Sequence, residues 1–236
     1  RAQDAITQMR PYSKKLQGVL GNIISNSDGD VKIALAEERT VENVLIIVVT
    51  SDRGLCGGYN SNLIKAAKAV IIEKYAAQPA KGHVQILPIG KNGYEPFTKN
   101  GSKVVDKFWD IFTGLSFDKV QAAAKYAMDA FANKQVDAVE LIYSEFKNAA
   151  TQRFVTEAFL PVQKVEKAPG QKNADFIFEP GKDVLITELM PKILNTQLFK
   201  ATLDANASEH GARMTAMDKA SDNASELLKS LKISYN

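Results

Sequence analysis

From the amino end, apolar residues recur at Ile6, Met9, Leu16, Leu20 and Ile23, and with Ser13 in one slot the steps alternate between three and four. That is the heptad seam of a helix that packs along another helix. Pro11 lies inside the seam and removes one backbone hydrogen bond, so a bend is expected there. The helix is expected to stop between Ser25 and Gly29. At the carboxyl end the same alternation runs through Leu203, Ala207, His210, Met214, Met217, Ser221, Ala224, Leu228 and Leu231. A helix from Pro191 to Asn236 would be roughly 70 Å long, which predicts packing against something outside its own domain. The helical pattern reaches both chain ends without capping signals, so further material is expected at each end.

Between these helices the pattern changes. Val44 to Thr50 is a continuous β-branched run, as in a strand buried on both faces of a mainly parallel sheet. A Gly-rich turn follows, then a predicted helix from Asn60 to Tyr75. His83 to Ile89 reads as a strand, Lys103 to Phe108 as a further one, and Phe117 to Asn133 as an Ala-rich helix. Val136 to Ser144 is another strand, and Thr151 to Val165 alternates as an antiparallel or edge element. Pro161, Pro169 and Pro180 punctuate that region. The predicted fold class is α/β, with a doubly wound, mainly parallel open sheet inserted between two long antiparallel coiled-coil helices formed by the N- and C-terminal segments. The corresponding boundaries are 1–27 for the first helix, 41–180 for a Rossmann-like α/β domain and 184–236 for the long carboxyl-terminal helix.

Composition excludes more than it assigns. The 236 residues are 45% hydrophobic, enough for a sizeable core, and a net charge of +3 is too balanced to indicate a nucleic-acid or anionic-membrane surface. Cys56 is the single cysteine, and His83 and His210 lie far apart, so neither an internal disulfide nor a thiolate metal cluster is expected. Without a run of about 18 apolar residues, membrane association would have to go through partners.

Two stretches carry candidate function. The first is the turn Ser51-Asp52-Arg53-Gly54-Leu55-Cys56-Gly57-Gly58-Tyr59-Asn60, placed where dinucleotide folds bind phosphate. Its G-x-x-G-G spacing matches neither phosphate-loop pattern, and no lysine follows to reach a phosphate. A tight strand-to-helix turn would explain the glycines but not Asp52, Arg53 and Cys56, which favour a partner contact. Cys56 reads either as a nucleophile activated by a helix N-terminus and Arg53, or as a small residue packed in the turn. The second stretch is Ala207 to Ala224, small-residue-rich on every face, which allows close backbone approach from several sides or simply favours helix. His210 reads as a polar interruption of the seam, and Met214 with Met217 as seam residues or a surface suited to several differently shaped partners.

Taken together, SDRGLCGGYN after a buried strand and SEHGARMTAMDKASDNA in the long carboxyl-terminal helix resemble the gamma subunits of F-type rotary ATP synthases. RAQDAITQMRPYSKKL and ELIYSEFKNAATQ are similar to the first helix and a later sheet segment of that family. The resemblance implies a two-helix shaft inside a ring of three alpha and three beta subunits. Its base would meet the epsilon subunit and the c-ring, and torque would pass between the ion-driven ring and the catalytic hexamer. It implies a non-catalytic chain without cofactor, metal or nucleic-acid partner. Such a chain would be peripheral on the cytoplasmic face of the bacterial plasma membrane or the matrix face of the mitochondrial inner membrane. It also marks Arg53, Gly54, Leu55, Cys56, Gly57, Asn60, Arg213, Met214, Met217 and Asn223 as candidate contacts. Family members extend further at both ends, and the paired-cysteine insertion of the chloroplast branch is lacking. Gly211 departs from the expected small helix former, at a cost of roughly 0.5–1 kcal/mol, which predicts a close approach there. On the residues alone, a dinucleotide-binding domain and a static coiled-coil scaffold remain the alternatives.

Overall fold

The computed structural model describes residues 2–25, 34–77, 83–163 and 182–235, with the side chains of residues 2, 17, 20–25 and 182–186 left aside. The seam residues Leu20 and Ile23 fall within the first helix with their side chains left aside, and the expected helix stop beyond Ser25, Pro169, Pro180 and the boundaries at 27 and 180 lie outside the described residues. In chain order come α1 (Ala2–Ser25), a short 3-10 helix (Ala34–Ala36), β1 (Val44–Val49), α2 (Tyr59–Lys74) and β2 (Val84–Ile89). They are followed by α3 (Lys91–Lys99), β3 (Lys103–Val104), α4 (Phe117–Ala132), β4 (Ala138–Phe146), β5 (Gln152–Leu160) and α5 (Lys182–Tyr235).

The five strands form a mixed sheet in the order β3-β2-β1-β4-β5. β1 pairs in parallel with β2 and β4, whereas β5 pairs antiparallel to β4 at the sheet edge. All six residues of β1 are fully buried because alternate side chains enter different cores. Leu45, Ile47 and Val49 join Val120 and Phe131 of α4 and Leu194 and Leu198 of α5, while Val44, Ile46 and Val48 join Tyr59, Leu63 and Ala67 of α2. Each such side chain contributes about 1.5–3 kcal/mol on burial. Helices on both faces therefore follow from one uninterrupted apolar strand. Glu140 breaks the apolar run of β4, and its buried carboxylate accepts bonds from Lys74 Nζ at 2.6 Å and Tyr75 Oη at 2.7 Å.

Two elements differ from the sequence reading. The third strand is only Lys103–Val104, and the unforeseen helix α3 contains Gly93 and Pro96. Glycine and proline disfavour helix, yet Gly90 and Gly93 permit close contact with Thr50, the residue after β1. A Cβ on Gly93 would stand 2.8 Å from Thr50 Oγ1, and one on Gly90, at φ +102°, 2.6 Å from the same atom.

α5 has 54 residues, roughly 80 Å of helix. Its lower part belongs to the core, and between Ala201 and Glu209 every residue but Leu203 and Asn206 is buried. α1 lies along it, with Ile6 in a small cluster with Phe146, Ala207 and Leu203. Arg10 donates to Asp204 Oδ1 at 2.6 Å and to the Phe146 carbonyl, and the Phe146 N–H donates to Asp204 Oδ1 at 3.2 Å. One carboxylate thus joins α1, α5 and β4. The seam position His210 is exposed.

Burial pushes the Asp204 carboxyl above the usual carboxylate value, against the pull of Arg10 and Lys200. Removing the carboxyl in Asp204→Ala should lower the unfolding free energy of the chain by about 2–3 kcal/mol, read from urea denaturation. Asp204→Asn, which still accepts from Phe146, should lose less. A raised folded value makes the contribution complete below the ordinary carboxylate range and lost as pH rises through the folded value. The stability gap between parent and Asn variant should therefore narrow as pH rises through that range.

Candidate functional site

The turn after β1 is tied to itself before it touches anything else. The Ser51 N–H donates to Asn60 Oδ1 at 3.0 Å, Ser51 Oγ donates to the Arg53 carbonyl at 2.8 Å, and Asn60 Nδ2 lies 3.3 Å from Cys56 Sγ. Asp52 accepts from the Lys91 N–H at 3.0 Å, which anchors the start of α3 to the same turn. Leu55 adopts φ +61° and Gly57 φ +59°. Cys56 is buried beside Tyr59 and Leu63, so its side chain belongs to the packed turn. Among the candidate contacts, the side chains of buried Cys56 and half-buried Asn60 help to hold the turn. Gly57 likewise aims its missing Cβ at Ala216, 3.9 Å away.

The two motif stretches meet in space. Arg213 Nη2 donates to the Arg53 carbonyl at 3.2 Å and Nε to the Gly54 carbonyl at 3.3 Å, and its guanidinium is also paired with Glu209. Arg213 therefore has carboxylate and carbonyl partners within its own chain. Arg53, Leu55, Met214, Met217 and Asn223 remain exposed, Leu55 at 76% and Met214 at 52%. The sequence reading missed the residues that seat α5. Tyr59 Oη donates to the Ala205 carbonyl at 2.9 Å, and Ser208 Oγ to the Ser144 carbonyl at 3.1 Å. Burial, reinforced by Glu209, pushes the Tyr59 phenol well above its ordinary value and keeps it a donor. Nothing in residue spacing announces such pairs, since their members lie 64 to 146 positions apart. Gly211 was the one legible signal. A Cβ there would meet the Ala149 carbonyl oxygen at 2.7 Å, which is the close approach the glycine predicts.

This geometry has a chemical consequence. In open α/β sheets ligands bind outside the carboxyl ends of the strands, where neighbouring crossovers run in opposite directions. Here that point lies between β1 and β4, and α5 fills it through its bonds to Ser144, Tyr59 and the 53–54 carbonyls. Among the described residues no three His, Cys, Asp or Glu side chains are grouped to hold a metal. No described helix is long and apolar enough to cross a membrane.

The family model described as ATP synthase matches residues 1–236. The ATP synthase gamma chain of Cytophaga hutchinsonii is 47% identical over 239 residues, covering 100% of this chain and 81% of the relative. That of Flavobacterium psychrophilum is 44% identical over 236 residues, covering 100% and 80%. The chain belongs to the ATP synthase gamma chain family. It is a subunit of the ATP-synthesising and ATP-hydrolysing complex. The fold agrees with two solved structures. The central stalk and c-ring of the Tetrahymena thermophila mitochondrial ATP synthase matches with a TM-score of 0.56 and 21% identity, over 93% of this chain and 99% of the other. The rotor of the Euglena gracilis mitochondrial enzyme matches with a TM-score of 0.56 and 17% identity, over 100% and 95%. In this gamma chain the motif turn and the long helix are thus one packed unit.

The close approach at Gly211 makes a prediction of definite sign. Helix propensity alone would make Gly211→Ala stabilising by about 1 kcal/mol. Contact with backbone at Ala149 should reverse this, so the variant is expected to lose about 1–3 kcal/mol. A raised melting temperature would remove the close approach from the account.

Proposed function

We propose that this gamma chain is the rotor shaft of its complex and does no chemistry of its own. The observation that carries the reading is the upper part of α5. From Asp218 to Tyr235 every residue is exposed, including Leu227, Leu228, Leu231 and Ile233. A helix with apolar residues on show has an interaction surface rather than a solvated one. The lower part is gripped by the sheet and by α1, and the contacts of Ile6 with Ala207 and of Arg10 with Asp204 fall at successive heights down α5 as α1 runs on. That ordering supports an antiparallel coiled-coil pairing of the two terminal helices. It also supports the division into segments 1–27, 41–180 and 184–236.

On this reading the exposed shaft enters the ring of alpha and beta subunits, and the sheet domain at its base meets the epsilon subunit and the c-ring. Ion flow turns the base, the shaft turns with it, and each beta subunit is driven in turn. The catalytic chemistry belongs to the ring. Arg53, Gly54, Leu55, Met214, Met217 and Asn223 are the contact positions, with the methionines able to repack against successive partners. The chain sits peripherally on the membrane, on the side where the ring stands.

A disulfide engineered between exposed Ala220 and one beta subunit should halt steady-state ATP turnover, and reduction should restore it. A static scaffold would keep full turnover with the bond formed in nearly all complexes, which is the result that sinks the rotor reading. Calorimetry with ATP checks the rest of the proposal. The gamma chain alone should give no micromolar binding, since α5 takes the crevice a nucleotide would need.

A further inference from the structure

The last contacts of the sheet domain with α5 lie at Gly211 to Ala216, immediately below the fully exposed stretch from Asp218. Two separate turns supply them. The turn after β1 reaches α5 through Arg213, which bonds the Arg53 and Gly54 carbonyls, and through Gly57 against Ala216. The β4–β5 turn reaches it through Ala149, whose carbonyl oxygen and Cα leave room only for a glycine at 211 and whose carbonyl accepts from Thr215 Oγ1 at 3.4 Å.

Helical geometry sets these contacts on opposite sides. With 3.6 residues per turn, Gly211 and Thr215 lie within about 40° of each other around the axis, Arg213 and Ala216 within about 60°, and the two pairs about 150° apart. Both jaws are stiffened. Asn148 Oδ1 accepts from the N–H groups of Ala150 and Thr151 at 3.0 and 2.8 Å, which fixes the β4–β5 turn. In the other turn Leu55 holds a left-handed conformation that a leucine rarely adopts, and the two carbonyls just before it converge on Arg213. A contact on one side of a helix lets it tilt away or roll. Opposed contacts resist both.

We propose that the 51–58 turn and the 147–151 turn form a two-jawed clamp through which torque passes between the sheet domain and the shaft. Gly211 and Arg213 are its positioning residues: Gly211 lets one jaw close on the backbone, and Arg213 draws the other onto the helix. The clamp rests on the rotor reading above and adds where in the chain the load is carried. It assigns to the SDRGLCGG turn a mechanical role that its exposed side chains alone do not require.

The test uses the assembled enzyme with the hexamer immobilised and a bead attached at Lys99→Cys, an exposed position, with the buried Cys56 left in place. If the bead on the parent does not rotate during ATP hydrolysis, the rotor reading fails. If it rotates, Gly211→Ala should increase the angular variance of the bead during a dwell by about twofold, because the loosened jaw no longer transmits strain as a packed contact does. Unchanged variance overturns the clamp. A second variant covers the case in which Gly211→Ala does not assemble. The 3.9 Å between the Gly57 Cβ direction and Ala216 Cβ falls in the range a disulfide spans, so Gly57→Cys with Ala216→Cys can lock one jaw. Rotation should continue at the parent rate with that bond formed, and variance should not rise. Rotation that stops on oxidation and returns on reduction would mean that the jaw opens in every cycle, which also overturns the clamp.

Discussion

The burial of α5 against the carboxyl ends of the strands is the constraint on which the rest of this structure depends. A helix surrounded on nearly all sides from Ala201 to Glu209 admits only small residues or polar ones with fixed partners. Ala201, Ala205 and Ala207 meet the first condition, and Thr202, Asp204 and Ser208 the second. Thr202 returns its hydroxyl to the Leu198 carbonyl, Ser208 donates to Ser144, and Asp204 accepts from Arg10 and Phe146. Larger side chains would force the helix off the sheet. Unpartnered polar ones would cost about 1–3 kcal/mol each.

That same burial explains why a Rossmann-like sheet serves here without a ligand crevice. The glycine turn after β1, the chain end of β4 and the first turn of α2 converge where a phosphate would lie in a dinucleotide fold. In this chain their polar groups face a helix. Tyr59, Ser144 and the carbonyls of Arg53 and Gly54 all find partners on α5. The arrangement exchanges a binding site for a socket. A socket is what a long helix needs if it is to move with the domain below it.

Asp204 shows how the socket depends on the first helix. Its carboxylate is out of water, and desolvation works against its charge, so it relies on Arg10 from α1 and Lys200 one turn below. Two helices from opposite ends of the chain are thereby joined to the edge of β4 through one group. Loss of α1 would leave that carboxylate without its strongest partner, which ties the integrity of the shaft to that of the base.

Much of this could be read from residue pattern because it depends on periodicity along the chain. The run VLIIVV announced a strand buried on both faces, the Ala-rich stretch from Phe117 announced α4, the three-four alternation announced the terminal helices, and alternation after Thr151 announced an antiparallel edge. The motif residues also identified the family by resemblance. What the pattern could not supply were encounters between distant residues. α3 hid behind Gly93 and Pro96 because their helix-breaking tendency outweighs any local signal, and only contact with Thr50 makes glycine the fitting residue there. Cys56 could be read from sequence as a residue packed in its turn, but the bonds of Arg213 to carbonyls 159 and 160 positions away have no period to detect. Sequence determined which segments would be helix, strand and turn. Tertiary packing decided which of their faces meet, because a contact between remote positions forms only when the whole sheet brings them within hydrogen-bonding distance.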